Sequence, residues 1–116
     1  MSDLWSLLRD THDLQVRIDA LRISDAAGTT STDQERDYLI RRAALAHRHL
    51  AVVSETGSDH DEAQRDAEKM ANLLWKHDRL HSSHRGPRPA DDPIWQTRNL
   101  RDYVRQEAVA MRLTGF

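Results

Sequence analysis

Leu4, Leu7, Thr11, Leu14, Ile18 and Leu21 recur at alternating steps of three and four residues. No other pattern in the chain restricts the fold as much. Such steps place side chains along one stripe of an α-helix, whereas a strand, with its period of two, would scatter them over both faces. The spacing predicts a helix over residues 3–23 with a seam nearly three heptads long. Trp5, Val16 and Ile23 fall on a second apolar line, more than a third of the way round that helix. A helix with two apolar lines is covered on more than one side, by two neighbours in its own chain or by a second copy.

The rest of the chain repeats the helical period between punctuating loops. Residues 24–31, SDAAGTTS, read as a loop around Gly28. Thr32 with Glu35 has the form of a capping box, opening a helix over 32–54 whose seam is Leu39, Ala43, Ala46, Leu50 and Val53. The turn ETGSD is too short to allow anything but a reversal, so the next helix, 59–83, returns antiparallel. Its seam is Ala63, Ala67, Met70 and Leu74, continuing into His77 and His81. Only alanines line the first half, which predicts a mostly wet end. RGPRPADD, residues 85–92, is a stiff linker, and Asp92-Pro93 is a good helix start. A fourth helix over 93–113 then turns Leu100, Val104, Ala108 and Met111 inward. The expected fold is all-α: one domain over 1–116, an antiparallel up-down-up-down four-helix bundle. A dimer of helical hairpins joined through the first helix is the alternative.

Composition supports helices over sheets. Aromatic residues make up 5% of the chain, and Ala, Leu and Arg, all good helix formers, are abundant. The absence of cysteine removes disulfides, thiolate metal sites and cysteine nucleophiles together. No stretch approaches the ~20 apolar residues that span a bilayer, and the N-terminus lacks a basic region followed by an apolar run. These features give the expectation of a cytoplasmic protein without a membrane segment. Arginine outnumbers lysine 15 to 2, a bias that GC-rich coding produces without any functional cause. The charge is uneven. Residues 1–75 carry 9 basic and 14 acidic groups, and residues 76–116 carry 8 and 5. The halves therefore attract each other, or the second half presents a basic face to an acidic partner.

Three sets of residues could carry function. The first is a partner-binding surface: Trp5, Val16 and Ile23 on the first helix, Trp95 at the start of the fourth, and an arginine line of Arg98, Arg101, Arg105 and Arg112 that would orient an acidic partner. The second is a metal site. His77 and His81, one helical turn apart, can share an ion, with Glu107 or His49 as a ligand from another helix. The Glu-x-x-His pairs of di-iron bundles are absent. The third is a nucleic-acid face on the fourth helix, against which the sequence pI of about 6.4 and the interleaved Asp102 and Glu107 argue. Catalytic motifs are missing. The four glycines form no phosphate loop, and no Gly-x-Ser-x-Gly elbow occurs. The expectation is a small interaction module — an adaptor, inhibitor or accessory subunit — that binds a partner protein, forms a homodimer and uses neither cofactor nor catalysis of its own.

Overall fold

The structure, a computed structural model, describes residues 8–9, 11–19, 21, 28, 31–56 and 60–113. Trp5 and Ile23, and with them most of the second apolar line of the first helix, lie outside the described residues. The architecture is an all-α bundle. Helix α1 is described over residues 11–19, α2 spans Thr32–Thr56 and α3 spans His60–His81. A single 3-10 turn, Pro93–Gln96, precedes α4, Leu100–Ala110. No described helix is long and apolar enough to cross a membrane.

Helices α2 and α3 pair in opposite directions. Arg36, near the start of α2, bonds Asp78 near the end of α3, and Arg42 farther along α2 bonds Asp66 farther back along α3. Alanines make this contact close. Ala43 and Ala46 of α2 share one core cluster with Ala63, Ala67 and Ala71 of α3. Small side chains let helix axes approach the short end of the usual ~8–10 Å range. The alanine half of α3 is therefore not wet: Ala63 and Ala67 are 4% and 2% exposed, in the same cluster as Leu50 and Val53. Larger residues fill the other end, with Ile40, Leu74, Tyr103 and Val104 all buried.

Helix α2 begins at Thr32 as expected, but two helix caps differ from expectation, each for a local reason. The α2 cap is Ser31 rather than Thr32. Ser31 Oγ accepts from the Gln34 amide (3.1 Å), while Gln34 Oε1 accepts from the Ser31 amide (2.7 Å). That reciprocal box uses Gln34 and leaves Glu35 free to turn toward α3. Asp92 does cap Pro93, but it starts only the 3-10 turn. Thr97 and Arg98 both bond back to the Ile94 carbonyl, and Asn99 then caps α4 by accepting from the Arg101 amide (2.9 Å). The expected 93–113 helix is thus two pieces.

Helices α3 and α4 end alike. The Ser83 amide reaches back to the Asp78 carbonyl and the Leu113 amide to that of Ala108. This six-to-one closure puts the intervening residue in the left-handed region, where glycine is usual. Here the residues are Ser82 (φ 51°) and Arg112 (φ 56°). Each carries about 1 kcal/mol that glycine would not.

Candidate metal centre

Each of the three packed helices carries a charge inside its apolar seam. Arg36 precedes Ile40 and Ala43 on α2, Asp78 follows Ala71 and Leu74 on α3, and Glu107 lies between Val104 and Ala108 on α4. The bundle brings all three together out of water. Arg36 donates to both oxygens of Asp78 (2.9 and 3.1 Å) and to Glu107 Oε1 (2.7 Å). The Tyr103 and Ser83 hydroxyls also donate to Asp78. Burial pushes the Asp78 carboxyl up, but the bonds from Arg36 and Tyr103 outweigh it and hold Asp78 below the ordinary carboxylate range. Burial lowers the Arg36 guanidinium, and the two carboxylates more than restore it. Tyr103 is raised by burial and by Asp78, so it stays a neutral donor. One cation faces two anions, and the network carries a net negative charge.

Glu107 also pins the loop after α3. It accepts from the Arg85 amide, the Gly86 amide (2.8 Å) and Gln106 Nε2 (2.7 Å). A side chain at Gly86 would collide with Gln106 and Glu107, which explains the glycine. Two indoles finish the clamp. Trp75 donates to the Ala90 carbonyl (2.7 Å) and Trp95 to the Pro89 carbonyl (2.8 Å). Trp95 is 4% exposed and meets Tyr103 edge-on at 5.2 Å. It is a core residue and offers no indole to a partner, because the 3-10 turn points it inward.

A second polar cluster borders this network. Glu35, His77 and His81 present ligand atoms that all lie within 4.8 Å of one another. The His77 side chain is 9% exposed, yet neither ring nitrogen makes a hydrogen bond. Leaving such atoms unsatisfied costs ~1–3 kcal/mol. Each nitrogen has a carboxylate just out of bonding reach. Nε2 lies 3.5 Å from Glu35 Oε2, and Nδ1 lies 3.6 Å from Asp78 Oδ1. The rings of His77 and His81 are 4.5 Å apart. With Zn–N and Zn–O bonds of ~2.0–2.2 Å, two ligands of a tetrahedral ion stand about 3.4 Å apart. The separation of His77 Nε2 and Glu35 Oε2 already matches that span.

The anticipated residues fare unequally. His77 and His81 do meet. Glu107 does not join them, because both its oxygens are taken by Arg36, Gln106 and the loop amides. His49 is exposed on α2 and is not in the cluster. The carboxylate comes from Glu35, which reading the capping box one residue late had hidden. The arginine line is broken. Arg101 and Arg105 share α4, but Arg98 sits in the turn before it and Arg112 beyond its end, where the left-handed residue redirects the chain. Arg101 is half-buried, and together with Arg105 it acts electrostatically on His47 of α2. Val16 is exposed on α1 at 55%. Comparison with protein-family models, with curated proteins and with solved structures finds no match for this chain.

Proposed function

We propose that this protein is a metal-binding helical bundle that takes one borderline divalent ion, zinc being the reference case, between the start of α2 and the end of α3. The observation that carries the reading is His77: a buried imidazole with two unsatisfied nitrogens, facing a ligand carboxylate on one side and a buried carboxylate on the other. Metal-bound histidines usually give their second N–H to a carboxylate, which fixes tautomer and ring orientation. Asp78, whose Oδ1 lies 3.6 Å from His77 Nδ1, supports that role, with Nε2 left to face the ion. Two imidazoles and one carboxylate suit zinc, nickel, cobalt or iron(II) better than calcium or magnesium, which prefer oxygen ligands. Three protein ligands leave a fourth position to water. The net negative charge of the neighbouring network favours a cation there.

The test is a pair of thermal melts, one with excess zinc and one with chelator. Binding to the folded state at ~100 times the dissociation constant adds about 2.7 kcal/mol, which raises the midpoint of a domain this size by about 10 °C. His81→Ala removes a ligand at an exposed position and leaves the core intact, so the expected result is an unchanged melt in chelator and a lost zinc shift. An equal zinc shift in wild type and His81→Ala would refute the assignment.

A second reading keeps the interaction module, and exposed Val16 on α1 is the observation that favours it. In that reading an acidic partner protein, or a second copy, covers this face of α1. Sedimentation of wild type against Val16→Ser, and recovery of a stoichiometric partner, tests it. A monomer with no partner lost on substitution counts against it.

A further inference from the structure

A cavity of about 240 Å³ lies where α1, α2 and the end of α4 meet, on residues separate from the metal centre. Its floor is apolar: Leu14 of α1, Ala44 and Leu45 of α2, and Met111 and Leu113 beyond α4. Its rim is cationic. Arg17, Arg41, Arg48 and Arg112 line it, with Asp13 the single acid in the lining among the described residues. Arg17 and Arg41 share one further carboxylate, Asp37, at 3.2 and 2.9 Å. Among the described residues, Arg112 of this rim has neither of these carboxylates as a partner. Helical geometry builds half of it, because Arg41, Ala44, Leu45 and Arg48 follow one face of α2 at steps of three, one and three.

Arg112 adds an independent observation. It holds a left-handed backbone, φ 56°, at a helix end where glycine would be unstrained. Its amide bonds the Val109 carbonyl, but no hydrogen bond or ion pair engages its guanidinium among the described residues. Strain kept in a residue whose charged side chain lines a cavity points to use of that side chain. We infer that the cavity binds a small organic anion, a carboxylate or phosphate monoester with a short apolar body. The planar guanidinium forks at the rim take the anion bidentately, and the apolar body lies on Leu14, Leu45, Met111 and Leu113. The volume is at the small end for ligand pockets, so a body of about six carbons is the right scale.

Hexanoate, hexyl phosphate and hexanol are titrated into the full chain while the methyl NMR signals of Leu14, Leu45 and Leu113 are followed. The expected result is saturable shifts with one or both anions and at least tenfold weaker binding of hexanol. Arg112→Gly is the decisive variant, since it removes the cation and relieves the backbone together. It is expected to lose at least tenfold in anion affinity while melting no lower than wild type. Binding unchanged in Arg112→Gly, equal binding of hexanol, or no saturable shift with either anion would each overturn the inference. Inorganic phosphate binding as tightly as hexyl phosphate in the same titration would overturn the role of the apolar floor. His81→Ala, which disables the metal centre, is expected to leave this binding unchanged.

Discussion

Two polar clusters sit side by side at one end of the bundle, and they are finished to different degrees. Around Arg36, Asp78 and Glu107, each acid accepts several hydrogen bonds, from backbone amides and the Tyr103 hydroxyl among others, and only Arg36 Nη1 of the guanidinium is left without a partner. Around His77 a side chain almost as buried makes no hydrogen bond, though carboxylates wait at 3.5 and 3.6 Å. The first cluster is what a bundle needs to bury charge without destabilising itself. The second has the spacing of ligands around an ion. Their junction is Asp78, which accepts from Arg36 on one side and faces the His77 ring on the other. Polarity in a core therefore does not by itself mark function. What sets His77 apart is a ring with neither nitrogen bonded, each facing a carboxylate.

The comparison breaks first at Arg36. Arg36→Met leaves two carboxylates buried without their cation, and such a loss costs ~3–5 kcal/mol. Urea unfolding at fixed pH measures it. A loss under 1 kcal/mol would mean that the network is far more hydrated than its burial indicates.

Next come the two glutamates, one on each side of the divide. Glu107→Gln exchanges a charge-assisted acceptor of Arg36 and two loop amides for a neutral amide. The expected cost is ~1–3 kcal/mol, with the zinc-induced shift in melting retained. Glu35→Gln changes a side chain that is 51% exposed. It should alter stability in chelator by less than about 0.5 kcal/mol and abolish most of the zinc shift. Paired calorimetric scans read both quantities. Interchanged outcomes would mean that the structural and ligand roles have been assigned the wrong way round.

A pH scan sharpens the picture away from the metal centre. Burial pushes the His47 imidazole down, Arg105 and Arg101 push it further, and Asp102 opposes them. The folded protein thus prefers neutral His47. Its contribution is fully present above the unfolded value of ~6.5 and is lost as pH falls from there toward the lower folded value. The slope in that window is at most about 1.4 kcal/mol per pH unit. In chelator, denaturant midpoints between pH 7 and 5 should fall less steeply for His47→Gln than for wild type. Parallel curves would remove His47 from the account.

The smallest effect belongs to the turn beneath both clusters. Ser82 closes α3 in a left-handed conformation, and Ser82→Gly should gain up to about 1 kcal/mol. The gain appears as a higher melting temperature, with zinc binding unchanged. A loss of stability would show that the Ser82 side chain does something its backbone angle does not reveal.

Much of the fold was legible because helical periods are redundant. Missing one seam residue, such as Ile40, leaves α2 recognisable from Ala43, Ala46, Leu50 and Val53. Helix ends carry no such redundancy. Reading the α2 cap at Thr32 rather than Ser31 spends Glu35 on a capping box and so hides its approach to His77. Reading Pro93 as the first residue of a long helix missed the competing cap at Asn99, and with it the inward turn of Trp95. Charges within seams are a signal that the sequence reading uses only for Glu107, as an inward carboxylate, and not for Arg36 or Asp78. Arg36, Asp78 and Glu107 each fall at core positions, and one cation with two anions at matching heights of three helices announces a buried network. Which carboxylate would face His77 depends on side-chain placement across helices, and periodicity alone does not specify that.

In the proposed site, Asp78 holds the His77 ring so that Nε2 meets an ion shared with Glu35 and His81. Long-range nitrogen–proton NMR of the histidine rings during a zinc titration tests it most directly, because it reports tautomer and ligation nitrogen by nitrogen. The expected result is that His77 Nε2 and one nitrogen of His81 move together and saturate at one zinc per chain, with His77 Nδ1 remaining protonated toward Asp78. His77 resonances that stay unmoved while zinc binds elsewhere, or ligation through Nδ1, would contradict it.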